Sequence, residues 1–257
     1  MRIVVSSDWH GDWVSHGVRR IDEIAEAVQA SVEDAIMKKA DLYVFAGDLC
    51  DPDSGSLAFE AVALATRAAG QLRRAKIPSV WIAGNHDVID DGRTRTTLAP
   101  LVDAWTEEED VLAFEEADYR VLELDSKNVA LVALPYPHLG KDEQSPHWWE
   151  SCGEWLADTH AECPLHALIV VSHLAVPGVE PGEEANELQR GRDVAYPADA
   201  IETLTKRLGV PVVLIQGHYH RAQTVTLKGL QIHIPGSLAR LTFNEEGHAP
   251  GYMILEV

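Results

Sequence analysis

The sequence is poor in cysteine and in long apolar runs. Its 257 residues include three cysteines, an odd number without the Cys-x-x-Cys spacing of a metal site, which indicates reduced thiols rather than a disulfide framework. No apolar run reaches the roughly 18 residues of a membrane span. The first residues enter a strand pattern directly and lack the apolar stretch of a signal peptide. We therefore expect a cytoplasmic protein with no membrane association.

Basic residues are also scarce. The chain has 21 lysines and arginines against 41 acidic residues, which gives a formal net charge of −20. Many of the acidic residues fall in three runs, 107–110, 115–118 and 180–187, and such runs are typical of a solvated surface. This balance argues against broad nucleic-acid binding, which usually requires a basic stripe.

The first ninety residues alternate short apolar strands with amphipathic helices. Strands are predicted over 3–6, 42–46 and 79–83, with helical stripes over 21–36 and 58–72 between them. Continuous apolar strands in this order indicate a parallel sheet covered on both sides. At 46% hydrophobic residues the chain can bury a large core, and without repeats or linkers it predicts a single domain over 1–257.

The second half of the chain predicts a partly antiparallel sheet. A hairpin over 119–134 precedes a helical segment over 144–157, a buried strand over 167–171, a helix over 198–208 and a strand over 212–216. The closing strands are predicted over 222–227, 230–234, 238–242 and 252–256. The long irregular stretch 174–197 is typical of a functional loop.

Five predicted strands end in side chains that commonly bind metals. In chain order these are Asp8 and His10, Asp48, Asn85 and His86, His173, and finally His218 and His220. The carboxyl ends of strands form the ligand-binding crevice of α/β sheets. Imidazole, carboxylate and amide donors without thiolate suit Mn²⁺, Fe²⁺ or Zn²⁺. These donors exceed the need of one ion, and two ions sharing a carboxylate are the arrangement used for in-line displacement at phosphorus.

The same residues resemble the calcineurin-like metallophosphoesterases. The motifs are Asp-x-His at 8–10, Gly-Asp-x-x-Asp at 47–51, Gly-Asn-His-Asp at 84–87, an isolated histidine at 173 and Gly-His-x-His at 217–220. The resemblance spans residues 8–220 and covers most of the chain. It implies a four-layer α/β/β/α sandwich built from two mixed sheets, with a two-metal phosphoesterase site.

The resemblance also implies a role for each motif residue. The first ion would be held by Asp8, His10, Asp48 and His220, and the second by Asp48, Asn85, His173 and His218. His86 would be catalytic, facing the substrate phosphate and either stabilising developing charge or protonating the leaving oxygen. Either Asp51 or Asp87 would orient its imidazole.

Three further stretches resemble the SbcD-type DNA-repair exonucleases. They are Ser-Asp-Trp-His at 7–10, the loop over 173–191, and Pro-Gly-Ser-x-x-Arg-x-x-Phe within 235–245. They imply a Mn²⁺-dependent nuclease that acts on DNA ends. Because the sequence stops at Val257, we expect the DNA-capping domain and the region that binds an SbcC-like ATPase to be absent. Whether the protein forms a homodimer is left open.

Four arginines are candidates for holding the phosphates of the substrate backbone: Arg93, Arg95, Arg190 and Arg240. The alternative for each is an exposed, solvating side chain. Two divalent ions outweigh the charges of Asp8 and Asp48, and charges beyond about 8 Å are largely screened, so the acidic surface weakens DNA binding without forbidding catalysis.

Two other functions stay open. The same metals would serve a small-substrate phosphodiesterase or phosphatase, for example one that acts on cyclic nucleotides. A non-catalytic scaffold of the same fold is disfavoured, because no ligand position of the motifs is missing.

We predict that bound metal and activity are both lost as the pH falls below about 6, because imidazole ligands bind metal only when neutral. A pH profile of turnover, with metal content measured on the same samples, checks this. An activity maximum well below that pH contradicts the metal assignment.

Overall fold

The computed structural model describes residues 1–89, 95–105, 110–136, 145–179 and 195–257. In chain order the strands are β1 (Arg2–Ser6), β2 (Val14–Ser15), β3 (Val18–Arg19), β4 (Leu42–Phe45), β5 (Ser79–Ile82), β6 (Val111–Phe114), β7 (Asp118–Leu124), β8 (Lys127–Leu134), β9 (Leu165–Ser172), β10 (Val212–Gln216), β11 (Gln223–Leu227), β12 (Leu230–Ile234) and β13 (Met253–Glu256). The α-helices of the described residues are α1 (Ile21–Met37), α2 (Ser56–Arg74), α3 (Ala99–Trp105), α4 (Pro146–Glu162) and α5 (Ala198–Leu208).

The larger strands form two mixed sheets. In the first, with the order β13-β1-β4-β5-β6, every neighbouring pair is parallel except β13 with β1. In the second, with the order β11-β12-β10-β9-β8-β7, the four central strands are parallel, and β11 and β7 add antiparallel edges. Strands β2 and β3 form a separate small hairpin.

Strand periodicity explains how the sheets stack. Successive side chains of a strand point to opposite faces. In β1, Ile3 and Val5 face the second sheet, where they join a buried cluster with residues such as Leu131 of β8 and Val171 of β9. Val4 faces the other way and packs with α1, α2 and α3. Because α4 and α5 cover the outer face of the second sheet, the fold is the expected four-layer α/β/β/α sandwich.

The fold differs from the sequence-based expectation in several elements, among them the short hairpin of β2 and β3, which was not predicted. The strand predicted over 238–242 is wrong, since the main-chain groups of Leu241 are taken by side chains. Its N–H donates to Glu245 Oε2 at 2.6 Å and its carbonyl accepts from Trp13 Nε1 at 2.8 Å. Strand β6 and helix α3 were not predicted, because both are short and flank an acidic run that indicated only a solvated surface.

None of the helices in the described ranges is both long enough and apolar enough to cross a bilayer.

The fold brings the carboxyl ends of both sheets together. The main-chain N–H of Asp8, after β1, donates to Gly47 O after β4 at 2.8 Å. His173, after β9 in the second sheet, reaches across to Ala46 O of the first sheet with its Nδ1 at 2.6 Å. Five strand ends are therefore fixed at one edge of the sandwich, as predicted.

Candidate metal centre

The side chains predicted as metal ligands lie together at this edge. All are buried except Asn85 and the neighbouring His86, which are half-buried. Three overlapping groups have ligand atoms within 4.8 Å of one another: Asp8 with His10 and His220, His10 with Asp48 and His86, and Asp48 with His173 and His218. Asp48 and His10 each belong to two of these groups, so the groups form one continuous cluster.

Four of these residues have left-handed backbone conformations. The φ angles are 51° at Asp8, 44° at His10, 62° at Asp48 and 77° at His218. Non-glycine residues adopt such angles uncommonly, and strained conformations concentrate at functional sites. The surrounding hydrogen bonds hold the strain, for example from the N–H groups of Trp9 and His10 to Asp48 O.

Gly84 gives the β5 loop its close approach to Asp48. A Cβ atom at this position would lie 2.1 Å from Asp48 Oδ1 and 2.5 Å from Asp48 N, so only glycine fits. The approach lets the N–H of His86 donate to Asp48 Oδ1 at 2.9 Å. Gly84 therefore allows the loops after β4 and β5, which carry predicted ligands, to come together.

Asp87 organises the two loops around Asp48. Its buried carboxylate accepts hydrogen bonds from Asp48 N and Gly84 N through Oδ2, at 2.9 and 2.8 Å. Its Oδ1 accepts from Leu49 N at 2.9 Å and from Thr97 Oγ1 at 2.5 Å. Burial, and next the negative charge of Asp48, raise the pKa of the Asp87 carboxyl to about 6. These contacts make Asp87 a residue that positions the main chain.

On one side of the centre, two imidazoles face each other. His10 Nε2 and His220 Nε2 are 3.0 Å apart. The other ring nitrogen of His220 lies 2.8 Å from Glu245 Oε1 and donates to that carboxylate. A neutral His220 therefore presents a lone pair to His10. Burial, and next the neighbouring imidazole of His220, hold the pKa of His10 well below its usual range, which favours the neutral ring of His10.

On the other side, oxygen and nitrogen acceptors converge around His173. Its Nε2 lies 3.2 Å from Asp48 Oδ2 and 3.1 Å from Asn85 Oδ1. Because Nδ1 donates to the carbonyl of Ala46, the neutral ring that metal binding requires would present Nε2 as an acceptor facing other acceptors. His218 Nδ1 lies 2.9 Å from the same Asn85 oxygen.

This arrangement fits a pair of cations. Burial alone would lower the pKa of His173, but the charge of Asp48 and its hydrogen bond raise it to about 10, so the pocket favours positive charge. Burial, and next the charge of His173, lower the pKa of His218 to about 3, which keeps this imidazole free to coordinate. The pocket combines carboxylate, imidazole and amide donors with an environment that favours positive charge. This combination matches divalent transition metals.

The remaining predicted site residues have other described contacts. Asp51 is exposed and accepts from Asp53 N at 2.8 Å, at the start of a short 3-10 helix. Arg95 pairs with Asp103 at 2.8 Å and with Glu115 at 3.8 Å. Arg240 donates from Nε to His248 O at 3.0 Å. Arg93 and Arg190 lie outside the described residues, and the roles of all these residues stay predictions.

Glu245 belongs to the site although its role was not predicted. It is buried, and its carboxylate accepts from His220 at one oxygen and from Leu241 N at the other. A carboxylate behind a ligating histidine fixes the ring and its tautomer. The available signal was the position of Glu245, two residues after Phe243, at the end of the stretch 235–245 that resembles the SbcD-type nucleases.

Comparison with known proteins agrees with this geometry. The family model described as "Calcineurin-like phosphoesterase" matches residues 1–222. The chain belongs to the calcineurin-like phosphoesterase family. Membership makes the protein a metallophosphoesterase, a hydrolase whose family uses a dinuclear metal site.

Two solved structures share the fold. A dimetal phosphatase from Danio rerio is 12% identical with a TM-score of 0.56, over 92% of this chain and 87% of the other. A Thermus thermophilus protein, TT1561, is 13% identical with a TM-score of 0.52, over 91% of this chain and 88% of the other. At these identities the likeness concerns the fold alone.

We predict that Glu245→Ala weakens metal binding by about 10–100-fold, because His220 loses the carboxylate that fixes its ring. Glu245→Gln retains an oxygen acceptor and should fall between this variant and the wild type. Calorimetric titration with Mn²⁺ measures the affinity, and the exposed Glu123→Ala serves as the control. Wild-type affinity in a folded Glu245→Ala variant contradicts this role.

Proposed function

We propose that this metallophosphoesterase is a two-metal phosphodiesterase that hydrolyses DNA, with Mn²⁺ as its native ion and Fe²⁺ or Zn²⁺ as alternatives. The observation that carries the nuclease proposal is the attachment of residues 235–245 to the metal centre. This stretch bears the resemblance to SbcD-type nucleases, and its Glu245 is hydrogen-bonded to the predicted ligand His220. The stretch is therefore part of the wall of the site.

The donors divide into two sets. Asp8, His10 and His220 would hold the first ion together with Asp48, and Asn85, His173 and His218 would hold the second ion with Asp48 shared. When bound, divalent ions at these donors supply Lewis-acid stabilisation of phosphoryl charge and lower the pKa of water.

We assign His86 to the substrate rather than to the fold. Its main chain is fixed by the hydrogen bond to Asp48 Oδ1, and its half-buried ring lies with its centroid 4.9 Å from that of His10. In this proposal the imidazole faces the scissile phosphate and either stabilises its developing charge or donates a proton to the leaving oxygen. Asp87 acts through the loop that carries His86, by holding Gly84 N and Asp48 N in place.

A DNA substrate has to be reconciled with the acidic surface. Two divalent ions would make the crevice locally positive, while more distant acidic groups are screened beyond about 8 Å. Arg240 lies on the same stretch as Glu245 and lines a cavity with Trp13, and in this proposal it holds a backbone phosphate. Arg95 is less suited to that role, since Asp103 and Glu115 already neutralise it.

The second candidate is a phosphodiesterase or phosphatase of small substrates. It is favoured by the net charge of −20 and by the ion pairs of Arg95, both of which reduce the attraction for a polyanion. Association with an SbcC-like ATPase, homodimer formation and a cytoplasmic location remain parts of the proposal.

We predict that the Mn²⁺-loaded protein degrades double-stranded DNA with free ends and cleaves an aryl phosphodiester, and acts poorly on a cyclic nucleotide. Release of acid-soluble nucleotides and of nitrophenol measures these activities, with chelated protein as the control. Hydrolysis of the cyclic nucleotide alone rejects the nuclease and supports the second candidate.

A pair of variants separates metal binding from catalysis. His86→Gln should retain both ions and lose most turnover, by about 10²-fold or more, because a group acting on the transition state is removed. Asp48→Asn should lose metal, since both ions share this carboxylate. Metal content after desalting and turnover are measured on each variant, with the exposed Asp53→Asn as the control. A His86→Gln protein without metal contradicts the role given to His86.

A further inference from the structure

An aromatic-lined cavity of about 740 Å³ lies beside the metal centre. Its lining includes Trp13, Val14, His16, Arg240 and Phe243. The metal ligands are not among its lining residues, so the cavity is a neighbouring compartment rather than the centre itself. We call it the side cavity.

The side cavity is joined to the centre through Trp13 and the stretch after β12. The ring of Trp13 lies with its centroid 6.0 Å from that of the predicted ligand His10. Trp13 Nε1 also donates to Leu241 O, four residues before the Glu245 that holds His220. The side cavity is therefore adjacent to the centre, with Trp13 between them.

The β2–β3 hairpin presents an aromatic surface to solvent. Its two-residue turn, His16-Gly17, has φ angles of 49° and 81°, as a type I′ turn requires. The turn places the His16 ring 5.1 Å from the ring of Phe243 with an interplanar angle of 48°. Phe243 is nevertheless 80% exposed, and Val14 beside it is 43% exposed.

Several side chains that could contact a ligand line the same cavity. The rings of His16 and Phe243 offer a π-surface, and the guanidinium of Arg240 on the same wall offers positive charge. A planar base attached to a phosphodiester carries the matching properties, a π-face and a negative charge. Base–aromatic stacking strengthens nucleotide binding and tolerates any base sequence.

We infer that the side cavity binds a nucleobase of the substrate, stacked on Phe243 and His16, next to the phosphodiester at the metal centre. This inference rests on the proposed phosphodiesterase function and adds to it a preference for nucleotide esters. It assigns specificity to residues that no metal motif contains. Because stacking does not read the base edge, the preference extends to all bases.

The test compares two esters with the same leaving group, thymidine 5′-(p-nitrophenyl phosphate) and methyl p-nitrophenyl phosphate, each with Mn²⁺. The wild type should prefer the thymidine ester in kcat/KM. Phe243→Ala should lower the ratio of the two kcat/KM values about tenfold, and Phe243→Trp should restore it because the π-surface returns. Phe59→Ala on α2, where the phenylalanine is 79% exposed, is the matched control and should leave the ratio unchanged.

The outcomes distinguish the inference from the function on which it rests. An unchanged ratio in Phe243→Ala, or an equal loss on both esters, overturns the side-cavity assignment and leaves the phosphodiesterase proposal standing. Failure of the wild type on both esters overturns the phosphodiesterase proposal. In that case, binding of thymidine 5′-monophosphate against inorganic phosphate, measured by calorimetry, still decides the inference. A tenfold weaker affinity of Phe243→Ala for the nucleotide alone supports it, and equal affinities reject it.

Discussion

The site depends on the electrostatic constraint that buried acceptor atoms face one another around Asp48. His173 Nε2 lies within hydrogen-bonding distance of both Asn85 Oδ1 and Asp48 Oδ2, and, because Nδ1 donates to Ala46 O, a neutral His173 would turn only a lone pair towards these oxygens. Such an arrangement is unfavourable in a dry interior unless positive charge compensates it. A pair of divalent ions would satisfy the constraint and would give these residues the chemistry of a phosphoesterase centre.

Residues around the predicted ligands hold the ligands in position. Asp87 ties the β4 and β5 loops together through their main chains, and Gly84 allows the approach that this requires. Glu245 holds the imidazole of His220 in position through a hydrogen bond. Asp87 and Glu245 contact the predicted ligands or their loops rather than the substrate. We therefore expect their loss to disturb the positions of the ligands and to weaken metal binding. The two sheets supply the rigid strand ends on which all of this is built.

Much of this could be predicted from the sequence, because each ligand follows directly on an apolar strand. The runs before Asp48 and Asn85 are recognisable by composition, and strand ends of parallel sheets converge by geometry. Glu245 could not be predicted in the same way. Glu245 lies 25 residues after His220 in the sequence. The stretch before it has the apolar pattern of a strand, but its main chain is hydrogen-bonded to side chains instead of to a neighbouring strand.

The roles of charged side chains were the least predictable part, since each depends on tertiary neighbours. Arg95 looks like a phosphate ligand in sequence but meets Asp103 and Glu115 in the fold. Asp87 looks like a partner of the adjacent His86 but hydrogen-bonds the main chain of two loops.

The central claim is tested most directly by anomalous diffraction from crystals soaked in Mn²⁺. Two peaks among these donors, with Asp48 between them, are the predicted result, and a single peak or none at this edge of the sandwich would contradict it.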